Sequence, residues 1–383
     1  MASAGPGPST GRWTYLDNLK VLLIAAIIAM HAVVSYSTLE AWTYTAMREV
    51  TLNPVVEAVL FVAVIPFGLF LIGLLFLVAG LLTPPSVQRK GVGGFARDRL
   101  LRLGVPFAVY VLILQPAIVY LLEHPLGAAP GSYWQEFLGD EGALDTGPLW
   151  FVGVLLVYSL AYAGWVHLRA DRPPRRGGGG VTAGRLLLVA ALVAPASFLI
   201  RLIYPYGGDA GFTDLNLWQW PACIAVFALG ITGSRQGWLS AVPGQMHRQC
   251  RTATLLAVVA MAVLLVLVGL GGDIEDMVGG WTWAALGFAV IDSVLNLFGS
   301  VWLLGLAQRH LHREHRWGPV LTRSAYGAFI LQTAVLIGLA VALRPLAVPA
   351  EFKALMLATG AVAGSFGLSS LLVRHVPAAA RIL

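Results

Sequence analysis

Apolar residues in this chain come in runs long enough to cross a bilayer, with short polar stretches between them. Ten runs can be read, at roughly 18–37, 54–82, 103–122, 148–168, 184–204, 217–234, 252–271, 281–306, 323–343 and 352–374. A spanning helix takes about 20 apolar residues, so the pattern predicts an all-α, polytopic integral membrane protein of about ten transmembrane helices. The second run is long and contains Pro66, where a kink, a tilt or a break is expected.

The polar stretches alternate in sign. Arg89, Lys90, Arg97, Arg99 and Arg102 fill one loop; Arg169, Arg172, Arg175 and Arg176 another; Arg235, Arg248 and Arg251 a third; Arg309, Arg313 and Arg316 a fourth. The loops between them carry Glu136, Asp140, Glu141 and Asp145, then Asp209 and Asp214, then Asp273, Glu275 and Asp276. With ten helices, 21 of the 25 Lys and Arg fall on one side and 14 of the 19 Asp and Glu on the other. The positive-inside rule then puts both termini in the cytoplasm.

Composition narrows the class. Only 11% of the 383 residues are charged and 58% are hydrophobic, against about 25% charged in soluble domains. An ordinary soluble enzyme and a disordered chain are both excluded. The net charge of +6 sits in loops between apolar runs, so it reads as membrane orientation rather than nucleic-acid binding. Two cysteines, Cys223 and Cys250, allow neither a disulfide framework nor a CxxC metal site. The Gly/Pro/Ser-rich residues 1–11 form a tail, with no cleavage site after the first apolar run. One membrane domain follows over 12–375, interrupted by a flexible loop at 170–183, and a short tail at 376–383 ends the chain.

Ionisable residues inside spanning helices are costly and raise a functional question by default. His31, Arg201 and Asp292 are the candidates. In the first helix, eleven steps separate Lys20 from His31, which is three turns plus about 20° and a climb of roughly 16 Å. Asp17, Lys20, His31 and Ser35 therefore form one stripe. Asp17 can cap the helix and Lys20 can snorkel to the interface, but His31 lies too deep for that. Asp292, Asn296 and Ser300 share a face of the eighth helix, at a depth compatible with His31. A carboxylate there could hold an imidazole tautomer, or could be satisfied by helix-packing groups such as Asn296. Arg99 and Arg102, three residues apart beside the third helix, suit phosphate binding as well as simple anchoring.

Taken together, these features resemble the membrane acyltransferase-3 family, which includes O-acetyltransferases of surface polysaccharides and a succinyltransferase of periplasmic glucans. Family members open with an Arg, ten intervening residues and a His; here Lys20 and His31 hold those positions. Arg99-Leu100-Leu101-Arg102 matches the family's RxxR motif. Val78-Ala79-Gly80-Leu81 is similar to a Ser-Gly-Phe-like turn but lacks the Ser. Leu149-Trp150-Phe151 resembles the start of the family's fourth helix. The stretches Leu199-Ile200-Arg201-Leu202-Ile203-Tyr204-Pro205 and Gly237-Trp238-Leu239 are closest to the glucan-modifying branch. Ser324-Ala325-Tyr326 and Ile330-Leu331-Gln332 resemble a block that normally ends in Leu-His, with Gln332 in place of the His.

The resemblance implies a multi-pass protein of the inner (plasma) membrane that uses a cytoplasmic acyl-CoA as donor and no metal. Its phosphates would meet Lys20, Arg99 and Arg102. His31 would act as base or acyl carrier, Asp292 would orient it, and Arg201 would contact an extracytoplasmic hydroxyl acceptor, a glycan or lipid. Two other classes fit the same residues: a proton-coupled secondary transporter with His31 and Asp292 as relay, and an inactive membrane scaffold.

Overall fold

The computed structural model describes residues 13–382 except 39–47, 124–144, 170–179, 209–214, 272 and 274. The tail 1–11, most of the loop 170–183 with Arg172, Arg175 and Arg176, and the acidic residues Glu136, Asp140, Glu141, Asp209 and Asp214 lie outside the described residues. Among the described residues there is no strand. The chain is an all-α polytopic membrane protein.

Nine described helices are long and apolar enough to cross a membrane. One of them, Gly68–Ile118, has 51 residues. At about 1.5 Å per residue that is more than twice the ~30 Å thickness of the hydrocarbon core, so it cannot be a single crossing. It is broken at Gly91, where φ is 71° and ψ 167°, a backbone state that glycine reaches at no steric cost. Val87 and Phe95, on either side of the break, pack in one small cluster with Ala163. The two expected segments 54–82 and 103–122 are therefore separate crossings. The helix runs on through Pro66, so the break falls in the basic segment and not at the proline.

Splitting that helix at Gly91 gives ten membrane-length segments among the described residues: α1 Thr14–Val34, α2 Pro54–Arg99, α3 over 100–123, α4 Trp150–His167, α5 Ala183–Arg201, α6 Trp220–Arg235, α7 Gly244–Gly271, α8 Trp283–His310, α9 Gly318–Leu343 and α10 Ala350–His375. A short helix, Pro377–Ile382, follows. Local signals start several of them. Asn53 accepts from the Val55 amide ahead of Pro54, and Thr182 and Thr282 do the same for Arg185 and Ala285, each satisfying an amide with no partner in its own helix. Three π-helical turns, Leu100–Gly104, Tyr110–Leu114 and Leu295–Gly299, interrupt α3 and α8.

Hydrogen bonds between helix ends sort the loops into two groups. At the basic end, Asn18 donates to the carbonyls of Leu311 and Arg313, Tyr15 to Leu239, Gln308 to Trp238, and Tyr326 to Arg102. At the opposite end, the Asn53 amide meets Glu351, Lys353 meets Glu49 at 2.6 Å, and the Tyr206 amide meets the Val278 carbonyl. The described parts of the basic loops thus meet at one end of the bundle, and the segments around Glu49, Glu351 and Val278 lie at the other.

Helices α2 and α6 cross at close backbone range. A Cβ on Gly80 would sit 2.3 Å from the Phe227 carbonyl oxygen, and one on Gly230 would sit 2.4 Å from that of Leu77. Facing small residues let the two backbones approach, the packing mode that serves where lipid gives helices no hydrophobic reason to associate. Helix α1 lies against α9 and α10, and its lower half against α8, which places His31 beside α9.

Candidate functional site

His31 is half-buried in the upper part of α1. Its Nδ1 lies 3.0 Å from Oε1 of Gln332 on α9. Gln332 itself is fully buried, and its amide nitrogen donates to the Phe329 carbonyl at 3.0 Å. Ser35, the top of the expected stripe, returns its hydroxyl to the His31 carbonyl at 2.9 Å. It closes the end of the helix rather than extending a polar path.

Asp292 and Arg201, assigned from sequence to different tasks, are brought together. Arg201 Nη2 meets Asp292 Oδ2 at 2.5 Å, with side-chain exposures of 1% and 3%. Asp292 Oδ1 accepts from Asn296 at 2.8 Å, the i, i+4 contact that the shared face implies. The guanidinium also stands over the rings of Tyr206 and Phe288, 5.1 and 4.8 Å from their centroids. So both carboxylate oxygens are taken by α5 and α8 groups, and the Nδ1 partner of His31 is an amide. Arg201, expected to meet an acceptor, is turned inward onto α8, because burying a guanidinium requires a counter-charge.

At the basic end, Asp98 gathers two cations: Lys90 at 2.7 Å and Arg102 at 3.3 Å. Arg102 is largely exposed, and its carbonyl accepts from Tyr326 at 2.9 Å. Arg99 is half-buried over the Phe95 ring at 5.0 Å, and its Nε has no hydrogen-bond partner among the described residues. Lys20 lies half-buried on α1. Helix α9 links the two levels, since Tyr326 at the arginines and Gln332 at the histidine are six residues apart, a rise of about 9 Å.

A second side of α9 faces α3. Thr333 and Tyr110 hydroxyls are 2.8 Å apart, Tyr110 donates to Gln115 at 2.7 Å, and Gln115 donates to Asp145. Tyr110 has one proton and gives it to Gln115, so Thr333 must be the donor to Tyr110. Sequence reasoning missed this ladder and left Gln332 without a role, because it weighed charged residues in the spans and passed over amides and hydroxyls. The available signal was Gln115 and Gln332 standing inside otherwise apolar runs. Among the described residues no group of three or more His, Cys, Asp or Glu could hold a metal ion.

The helical bundle thus holds the His31 imidazole on α1 and α9 above a basic end that carries Arg99 and Arg102. The model of the acyltransferase-3 family, an acyltransferase domain, matches residues 13–374, and the chain belongs to that family. It is a membrane acyltransferase. No curated protein and no solved structure matches the chain.

Proposed function

We propose that the protein moves an acetyl- or succinyl-like group from acyl-CoA to a hydroxyl of an extracytoplasmic glycan or lipid, as an O-acyltransferase of the inner membrane. The basic end faces the cytoplasm under the positive-inside rule, which puts Arg99, Arg102 and Lys20 on the side of the CoA phosphates. Forked guanidinium donors suit those phosphates. The thioester would reach upward along α1 and α9 toward His31. There the imidazole takes the acceptor's hydroxyl proton as its oxygen attacks the acyl carbon. In this reading the Arg201–Asp292 pair fixes α5 to α8 instead of touching the acceptor.

The observation that carries the proposal is the His31 imidazole: half-buried, deep in the span, and held by α9, the same helix that meets the RxxR segment through Tyr326. General-base catalysis contributes about 10²–10⁴-fold. His31→Ala should therefore lower transfer from acyl-CoA at least about 100-fold in purified protein, with membrane insertion intact. Thioester consumption over a panel of acyl-CoAs measures it. Near-wild-type turnover by His31→Ala would overturn the reading.

A further inference from the structure

We propose that Gln332 is a positioning residue that fixes the tautomer of His31, making Nε2 the atom that receives the acceptor's proton. This rests on the acyl-transfer reading above. The argument runs through donors and acceptors. The Phe329 carbonyl can only accept, so the side of Gln332 facing it, at 3.0 Å, must be the NH₂ group. That leaves Oε1 pointing at His31 Nδ1, also at 3.0 Å. An amide oxygen can only accept as well, so Nδ1 carries the hydrogen and Nε2 of the neutral ring carries the lone pair. The flipped amide would set two oxygens against each other at 3.0 Å in a site where Gln332 is 0% exposed, and an unsatisfied buried polar pair is costly.

The described helices packed against α1 put no charged residue of their own at the level of His31. On the helices packed against α1, there is no Asp, Glu, Lys, Arg or His between Glu57 and Arg89 on α2, between Asp292 and Arg309 on α8, between Arg323 and Arg344 on α9, or between Lys353 and Arg374 on α10. Of the bordering groups, Glu57 accepts from Thr38, Lys353 is paired with Glu49, and Asp292 is paired with Arg201. Gln332 therefore sets direction without adding charge. In the reaction, the acceptor O–H bond breaks and its proton goes to Nε2. The oxygen forms the new ester bond to the acyl carbon, the C–S bond breaks with its electron pair on sulfur, and the Nε2 proton passes to that thiolate. The Nδ1 hydrogen stays on Nδ1, donated to Gln332 Oε1, throughout.

The test has a spectroscopic and a kinetic arm. In ¹⁵N-histidine-labelled protein, with the His31 resonances identified by their loss in His31→Ala, neutral His31 should show the Nδ1–H pattern, and Gln332→Leu should shift it toward the Nε2–H form. Gln332→Glu places a carboxylate on Nδ1 and stabilises the imidazolium, so the acid limb of kcat/KM should move up by about one pH unit or more, with kcat preserved above that limb. Gln332→Leu, which keeps the bulk and loses the acceptor, should lower kcat roughly tenfold or more and leave the thioester KM unchanged. An Nε2–H pattern in the wild type, or a Gln332→Glu limb that does not move, overturns the proposal. If Gln332→Leu does not fold, the wild-type resonances and the Glu variant still decide. If the wild type consumes no acyl thioester at all, the acyl-transfer reading fails, and the tautomer is still read from the resonances.

Discussion

At the α1–α9 contact a single imidazole meets a neutral amide and stays half-buried; at the α5–α8 contact an ion pair is buried, with exposures of 1% and 3%. Both put ionisable groups into an apolar bundle, where each is expensive. The two sites meet that cost in opposite ways. Arg201 is neutralised by Asp292, with Asn296 on the second carboxylate oxygen and aromatic faces of Tyr206 and Phe288 against the cation. His31 can be neutral without a counter-charge, and its partner is the neutral Gln332 amide. A buried ion pair ties two helices together, whereas an imidazole held by a neutral amide is the group that the proposed reaction uses.

The largest effect should come from breaking the buried pair. Removing one member of a buried ion pair strands the other, at about 3–5 kcal/mol. Asp292→Ala should therefore lower the thermal midpoint and the yield of folded protein in detergent. The double variant Arg201→Met with Asp292→Leu should regain most of the loss, because a buried pair is often replaceable by apolar groups of similar volume. His31→Ala should leave the midpoint unchanged while losing transfer. An Asp292→Ala protein that melts like the wild type and loses only activity would break the contrast and return Asp292 to the catalytic machinery.

A packing change with no charge involved comes next. Gly80→Val forces a side chain against the Phe227 backbone, where even the first carbon would be 2.3 Å away. Overpacking of that kind costs about 1–3 kcal/mol. The midpoint should fall by less than in Asp292→Ala, and the pH dependence of residual transfer should match the wild type. A shift in that profile would mean the α2–α6 contact reaches the imidazole, and the two regions could not be treated as independent.

Much of this architecture was legible in the residues. Each span is an apolar run of about 20 residues, and the basic and acidic loops alternate, so helix number and the gathering of the basic loops at one end follow from the chain alone. The break between α2 and α3 was harder to place. Pro66 was the visible breaker, but the helix passes through it and breaks at Gly91, past Arg89 and Lys90, which sit comfortably in helix once outside the apolar run. Periodicity gave the face shared by Asp292 and Asn296, but not the neighbour that face meets. Arg201, ninety-one positions away in sequence, could not be matched to it by spacing. Gln332 escaped for a chemical reason: an amide buries at modest cost once hydrogen-bonded, so it carries no warning of the kind a charge does.

The smallest effect expected is at the basic end, and it tests whether the cations there bind ligand or anchor the helix. Asp98 holds both Lys90 and Arg102, and its carboxylate is partly exposed, at 23%. Surface pairs of this kind contribute only about 0–1 kcal/mol, so Asp98→Asn should barely change the midpoint. The same carboxylate competes with a phosphate for the two cations. Asp98→Asn should therefore lower the KM for acyl-CoA a few-fold and make it more sensitive to salt, since the freed charges attract the donor through screened solvent. Arg102→Ala should move KM the other way, with kcat unchanged. A rise in KM for Asp98→Asn would mean that the carboxylate aims Arg102 at the donor, and that orientation there outweighs net charge.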